Sequence, residues 1–125
     1  MAKAISGRMP QFSFPASQRL KNKREFDLVQ RCAKKLHARN FLLLVAPARH
    51  EKSRLGITVT IKVEPTAVGR NRIKRCVREI FRLHQAKLLG AFDIVVIARQ
   101  NAPQCSFAEI KKQLLGALQH HGYSA

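Results

Sequence analysis

Apolar residues are concentrated at strand spacing in three segments of the chain. These segments are NFLLLVAPA at 40–48, RLGITVTIKV at 54–63 and FDIVVIAR at 92–99. Each is short and rich in aliphatic and β-branched residues, which is typical of strands rather than helices. The charged segment RHEKS at 49–53 lies between the first two and has the composition of a turn. The first two segments are therefore predicted to be antiparallel strands.

A helix is predicted near the start of the chain, in the segment NKREFDLVQRC. Asn22 is followed three residues later by Glu25, a spacing that allows a capping box. Beyond this start, Phe26, Val29 and Ala33 repeat on one helical face. The segment is therefore expected to be an amphipathic helix.

Two further segments have helical periodicity. One runs from about Thr66 to Leu88, with Gly90 as a stop signal. The other, AEIKKQLLGALQHH, follows Ser106 as a candidate cap and ends before Gly122. The order α, β, β, α, β, α predicts an α+β fold, a two-layer sandwich in which helices pack against one mixed sheet.

The length of 125 residues suits one hydrophobic core and is short for two. Residues 1–21 contain two prolines, several small polar residues and few long apolar ones. We therefore expect an irregular basic arm at 1–21 and a single α+β domain at 22–125.

The charge of the chain is strongly unbalanced. There are 24 Lys and Arg against 7 Asp and Glu, a formal net charge of +17 at pH 7. Nucleic acid is the favoured partner, because neutralising its phosphates releases counterions, and an anionic membrane is the alternative. No apolar run reaches the roughly 18 residues of a spanning helix, and MAKAISGRMP lacks the apolar centre of a secretory signal. We therefore expect a cytoplasmic protein that does not bind membranes.

The predicted central helix carries a dense basic segment, GRNRIKRCVREIFR at 69–82, with six basic residues and one acid, Glu79. Solvated charge runs normally interleave both signs, so this composition favours an RNA or DNA contact surface. At 100° per residue the basic residues lie on one side of the helix. The opposite side is the predicted core stripe, formed by Ile73, Val77, Ile80, Phe81, His84 and Leu88.

The segment RNRIKRCVREIFR resembles the RNR signature of the bacterial ribonuclease P protein family, in which Arg-Asn-Arg-x-x-Lys/Arg-Arg lies along a long central helix. FPASQRL, KREFDLV, RLGITV followed by Lys62, and FDIVVIAR recur in the same order in that family. The resemblance covers about residues 14–118. It implies a fold like the second domain of ribosomal protein S5, with a βαβ crossover of the rare left-handed kind.

The resemblance also implies a function. Members of the family are the protein subunit of a ribonucleoprotein that removes the 5′ leader from precursor tRNA, while the RNA subunit carries the chemistry and holds most of the Mg²⁺. The expected partners are the catalytic RNA and precursor tRNA, with the protein monomeric in the complex. The residues implied to bind RNA are Arg70, Asn71, Arg72, Lys74, Arg75, Arg78 and Arg82. Those implied to form a leader-binding cleft are Phe26, Leu42, Leu44, Thr58 and Lys62.

The cleft departs from the family at two positions. Gln30 and Leu44 stand where some relatives carry aromatic rings. Stacking on unpaired bases contributes roughly 1 to 3 kcal/mol per base, so leader contacts here are expected to depend more on charge and backbone. Phe26 has a second interpretation, as an ordinary core residue of its helix.

A protein-based active site is not expected. A metal-dependent nuclease needs carboxylates that converge on Mg²⁺, whereas the acids here are scattered and no HExxH or phosphate-binding glycine loop occurs. His84 is interpreted as a packed, hydrogen-bonded ring, and Cys32, Cys76 and Cys105 as reduced thiols. We therefore expect no catalytic residue, no protein metal site and no organic cofactor.

Two alternatives remain open. The first is a ribosomal or general RNA-binding protein, which would bind RNA without stimulating cleavage, since similar sandwiches with basic helices occur there. The second, disfavoured by the scattered acids, is a stand-alone nuclease, for which EDTA-sensitive cleavage by RNA-free protein would be the sign.

Overall fold

The structure is a computed structural model that describes Arg24, Arg31 and residues 33–48 and 53–125. Arg24 and Arg31 are exposed and helical. The predicted arm at 1–21, most of the first predicted helix with Phe26, and most of the RHEKS turn lie outside the described residues.

In the described part of the chain, four strands form one mixed sheet: β1 (Lys34–His37), β2 (Phe41–Pro47), β3 (Arg54–Thr58) and β4 (Phe92–Ala98). Their order across the sheet is β1-β2-β4-β3. Strand β2 is antiparallel to both β1 and β4, whereas β3 is parallel to β4. The prediction of a mixed sheet in an α+β fold is confirmed.

Within residues 33–48 and 53–125 there are two α-helices, α1 (Ala67–His84) and α2 (Phe107–His120). The hydroxyl of Thr66 caps α1 by accepting from the backbone N–H of Gly69 at 3.0 Å. A capping box between Ser106 and Glu109 starts α2, which confirms Ser106 as the predicted cap. The two caps satisfy backbone donors that the first turn of a helix leaves unpaired.

The sheet differs from the prediction in two respects. Strand β1 was not predicted. The antiparallel direction predicted for β2 and β3 is confirmed, although β4 lies between them in the sheet. Strand β3 also ends at Thr58 rather than Val63, since the N–H groups of Val63 and Glu64 both donate to the Thr60 carbonyl and close a turn.

The main core lies between the helices and one face of the sheet. In α1, Ile73, Val77 and Ile80 are completely buried and Phe81 is nearly so, which confirms the predicted stripe for these residues. The sheet and α2 complete the cluster, chiefly through Leu36, Phe41, Leu43, Val45, Ile94, Val96, Ile110, Leu114 and Leu118. This packing fixes which side of α1 faces outward.

Helix α1 ends earlier than predicted. The helix stops at His84 and continues as a 3₁₀ turn at Gln85–Lys87, so Leu88 lies beyond it, half-buried against the core. The ring of His84 is partly buried and its Nδ1 lies 2.9 Å from the Ile80 carbonyl. The prediction of a packed, hydrogen-bonded histidine is confirmed.

The opposite face of the sheet carries a second, smaller cluster. Leu44, Ala46 and Val95 are buried there, with the partly buried Leu42 and Ile97 packed against them. We call this surface the distal sheet face, because it points away from α1 and α2. Ala33, the last predicted position of the first helix, is also partly buried against it.

Candidate nucleic-acid interface

The outward side of α1 is cationic because its inward side is fixed by the core. We call the outward surface the cationic helix face, and it consists of Arg70, Asn71, Arg72, Lys74, Arg75, Arg78 and Arg82. Asn71, Arg72 and Arg75 are exposed, and the other members are partly exposed. The structure therefore brings together all seven residues that the sequence predicts to bind RNA, on one helix.

A single acid interrupts this surface. Glu79 accepts hydrogen bonds from the guanidinium of Arg82 on both carboxylate oxygens, at spacing i, i+3. These hydrogen bonds lower the pKa of Glu79 and raise that of Arg82. The pair neutralises the end of α1 that lies nearer its C-terminus, so the positive charge is concentrated towards the N-terminal half.

Two arginines in that N-terminal half make specific contacts with backbone carbonyls. Nη1 of Arg70 donates to the carbonyls of Glu64 at 3.0 Å and Pro65 at 2.9 Å. Nη2 of Arg72 donates to the carbonyl of Cys105 at 2.8 Å, which lies 33 residues further along the chain. Each of these arginines thus joins α1 to another segment of the fold.

Lys74 and Arg75 differ from these two arginines. Within the part of the chain that the structure describes, neither side chain has a hydrogen-bond or ion-pair partner. Arg75 is exposed and Lys74 is partly exposed. Neither charge is therefore engaged by the described part of the fold.

The connection that leads into α1 is closely packed around Gly69. Glu64 accepts hydrogen bonds from the N–H and the hydroxyl of Thr66, at 3.1 and 2.8 Å, and these bonds lower the pKa of Glu64. A Cβ atom at Gly69 would lie 2.5 Å from Cδ of Glu64 and 2.8 Å from Oγ1 of Thr66. A side chain at position 69 would therefore displace the side chains of Glu64 and Thr66 from the start of the cationic helix face.

The predicted leader-binding residues lie on or beside the distal sheet face. Leu42 and Thr58 are both register partners of Ile97, so they lie in one row across the sheet. Both are partly buried, whereas Leu44 is only 3% exposed. Leu44 therefore contributes to the floor of this surface rather than to its accessible part.

Lys62, the remaining described member of the predicted cleft, is exposed in the turn that follows β3. Phe26 lies outside the described residues. The structure thus places four of the five predicted positions and shows Leu42, Leu44 and Thr58 sharing one face.

Two basic residues at the edge of this face were not predicted. His37 is the register partner of Leu42, and its Nδ1 lies 3.0 Å from Nη2 of Arg99. A guanidinium can only donate, so Nδ1 of His37 accepts this hydrogen bond. Strand alternation from Val95 through Ile97 to Arg99 was the signal that could have found Arg99, whereas His37 belongs to the strand that was missed.

The carboxylates of the described residues are all engaged in local structure. Glu64 and Glu109 lie at helix starts, and Glu79 and Asp93 pair with arginines. Over the same residues, no group of three or more His, Cys, Asp or Glu side chains is arranged to hold a metal ion. In this part of the chain, no helix is long and apolar enough to cross a membrane.

Comparison with known proteins identifies the family. The profile of the family described as Ribonuclease P matches residues 14–122, which is most of the chain. This chain belongs to the ribonuclease P protein family. Members of this family are protein components of a tRNA-processing enzyme, and the resemblance seen in the RNR segment is confirmed.

Individual relatives agree with this membership. The ribonuclease P protein component of Desulfatibacillum aliphaticivorans is 47% identical over 92 residues, covering 74% of this chain and 77% of the relative. That of Desulfosudis oleivorans is 44% identical over 106 residues, covering 85% of this chain and 87% of the relative. The similarity therefore extends well beyond the RNR segment.

Solved structures of the family share the fold. The Staphylococcus aureus RNase P protein superposes with a TM-score of 0.79 at 31% identity, covering 86% of this chain and 98% of that one. The Thermotoga maritima RNase P protein gives a TM-score of 0.74 at 36% identity, covering 81% and 97%. The predicted α+β class is thus confirmed by both the sheet topology and the neighbours.

Proposed function

We propose that this chain is the protein subunit that binds the catalytic RNA of ribonuclease P and the 5′ leader of precursor tRNA. In this role it assists the Mg²⁺-dependent removal of the leader that gives the mature 5′ end of the tRNA. The observation that carries the proposal is the cationic helix face, whose inward side is locked in the core while its outward side presents basic residues. Binding there releases counterions, and arginine adds bidentate contacts to phosphate.

The distal sheet face supports the second part of the proposal, leader binding. Leu42 and Thr58 line it without being fully buried, and the exposed Lys62 lies in the turn that follows β3. An extended single strand could lay its bases on the apolar part while its phosphates meet the lysine. The aliphatic Leu44 offers less stacking surface than an aromatic ring would, so charge carries more of the binding.

The chemistry in this proposal belongs to the RNA subunit, which holds most of the Mg²⁺. Two RNAs repel each other, and a compact cation between them raises affinity for the substrate and for Mg²⁺. The described carboxylates support this division, because each is committed to a helix start or to an arginine. We further propose that the protein acts in the cytoplasm and is monomeric within the ribonucleoprotein.

Cleavage of a 5′-labelled precursor tRNA at low Mg²⁺ tests the proposal. The three reactions are protein alone, bacterial ribonuclease P RNA alone, and the two together. We expect efficient cleavage at the mature 5′ end only in the mixture. Binding of RNA without any stimulation of cleavage would instead support a general RNA-binding protein, and EDTA-sensitive cleavage by the protein alone would support a nuclease.

A further inference from the structure

We infer that Arg70 and Arg72 are positioning residues, which fix the direction of α1. The phosphate contacts are then made by the other members of the cationic helix face. This inference rests on the proposed function, because it assigns roles within the same RNA-binding surface. The two side chains are two positions apart, so they leave the helix about 200° apart. They therefore hold the first turns of α1 from opposite sides.

The contact of Arg72 ends on a well-anchored carbonyl. Cys105 follows the 3₁₀ turn at Ala102–Gln104, its N–H donates to the Ala102 carbonyl, and its thiol lies 3.3 Å from Oδ1 of Asn40. Asn40 in turn exchanges two hydrogen bonds with Gln113 of α2, through its N–H at 2.8 Å and its Oδ1 at 2.9 Å. Arg72 is thus the link between α1 and a polar network that joins the β1–β2 turn to α2.

The contact of Arg70 is on the other side of the helix. Its Nη1 bridges two successive carbonyls, those of Glu64 and Pro65, in the connection between β3 and α1. The side chain of Glu64 is itself bonded to Thr66, the cap of α1. Arg70 therefore closes the helix start onto the chain that precedes it.

The remaining members of the cationic helix face lie between these two fixed points. At 100° per residue, Lys74, Arg78, Asn71, Arg82 and Arg75 fall in that order within an arc of about 100°, bounded by Arg70 on one side and Arg72 on the other. Lys74 and Arg75 have no side-chain partner among the described residues. A change in the tilt of α1 would move all of these side chains together.

The first test compares Arg72→Ala with Arg75→Ala. Three quantities are measured for each variant: the melting temperature of the free protein, the Kd for assembly with the catalytic RNA, and the salt dependence of that Kd. A phosphate contact contributes about 0.7–0.9 to the slope of log K against log salt. For Arg72→Ala we expect a lower melting temperature, a Kd about tenfold higher, as for one charge-assisted hydrogen bond, and an unchanged slope. For Arg75→Ala we expect an unchanged or higher melting temperature and a slope lower by about one contact.

A second variant removes the network without touching any charge. Gln113→Ala, on α2, should raise the Kd for the catalytic RNA without changing the salt slope. In the double variant with Arg72→Ala, the two effects on Kd should be less than additive because both act through one network. Circular dichroism at the temperature of the binding assay establishes that each variant is folded.

Specific outcomes would overturn the inference. A salt slope lowered by about one contact in Arg72→Ala would make Arg72 a phosphate ligand. A lowered melting temperature with an unchanged Kd in the folded variant would mean that Arg72 contributes only to stability. Additive effects of Arg72→Ala and Gln113→Ala on Kd would show that the two residues do not act through one network. If the wild-type protein itself neither bound the RNA nor stimulated cleavage, the proposed function would fail instead.

Discussion

Arg54 and Asp93 form a two-point ion pair across the parallel strands β3 and β4. Nε to Oδ1 is 3.2 Å and Nη2 to Oδ2 is 3.1 Å, and the side chains are only 11% and 3% exposed. Breaking such a pair is costly because the remaining buried charge loses a close partner. We expect Asp93→Ala to lower the free energy of unfolding by about 3 kcal/mol, measured by urea denaturation.

The pair between Glu79 and Arg82 is a matched control. It joins the same residue classes in the same protein, but its side chains are 37% and 20% exposed. Surface pairs contribute little, so Glu79→Ala should cost no more than about 1 kcal/mol. Equal losses in the two variants would contradict the view that burial makes the Arg54–Asp93 pair important.

The capping box of α2 predicts a specific response to acid. Glu109 accepts from the N–H of Ser106 at 2.9 Å, and this bond, with the one to the Ser106 side chain, lowers the pKa of Glu109 below its usual 4.5. A lowered folded-state pKa means that the stabilisation is complete above the ordinary value and is lost as the pH falls through the lowered one. Glu109→Gln keeps a capping-box side chain but cannot ionise.

Melting temperatures from pH 7 down to pH 3 test this assignment. The wild type should melt above Glu109→Gln at neutral pH, and the difference should shrink as the pH falls below about 4.5. A difference that stays constant over the whole range would show that ionisation of Glu109 does not stabilise the helix.

The elements with strong periodicity were predictable from the sequence, whereas the strand order was not. The stripe of Ile73, Val77 and Ile80 follows directly from helical spacing, and the burial of these residues confirms it. By contrast, only the predicted turn segment separates β2 from β3 in sequence, and this closeness gives no sign that β4 lies between them in the sheet. One signal for the position of β4 was present: it is apolar from Ile94 through Ile97 without alternation, as expected of a central strand buried on both faces.

Strand β1 was missed for a related reason. KKLH contains one core residue, Leu36, among three exposed polar ones, so its apolar pattern is too short to detect. It is a strand because its backbone pairs with β2, so tertiary context rather than local propensity determines its conformation.

The candidate site, like the fold, was predictable from the sequence only in part. The RNR resemblance located the cationic helix face, because a motif and its periodicity are both local. The carbonyl partner of Arg72 is 33 residues away, and no local pattern relates the two. Sequence thus identified which residues carry charge. The structure separated those that contact backbone carbonyls from those, such as Arg75, that have no side-chain partner among the described residues.

Leader binding by the distal sheet face makes a separate prediction at Lys62, which is exposed in the turn after β3. Lys62→Ala should weaken holoenzyme binding of a precursor with a leader about three- to tenfold, because one phosphate contact is lost, and leave binding of mature tRNA unchanged. Filter binding with the two RNAs measures both quantities.

Lys34→Ala is the control for that experiment. Lys34 is also exposed, but strand alternation puts it on the side of β1 that carries Leu36, away from the distal sheet face. It should have no leader-dependent effect. If the two variants lose affinity equally, or if Lys62→Ala weakens binding of mature tRNA as much as that of the precursor, the placement of the leader is wrong.

Sulfate should stabilise the free protein by occupying phosphate positions on the cationic helix face. A ligand that binds only the folded state raises stability by RT ln(1 + [L]/Kd), about 1.4 kcal/mol at ten times Kd, or about 5 °C for a domain of this size. Sulfate also stabilises proteins in general by exclusion from their surface, so a single melt is not sufficient. The comparison is therefore between the wild type and Lys74→Ala/Arg75→Ala, each melted in sulfate and in chloride at equal ionic strength. We expect the extra stabilisation by sulfate to be smaller in the double variant, and an equal increment in both proteins would mean that sulfate acts only through the solvent.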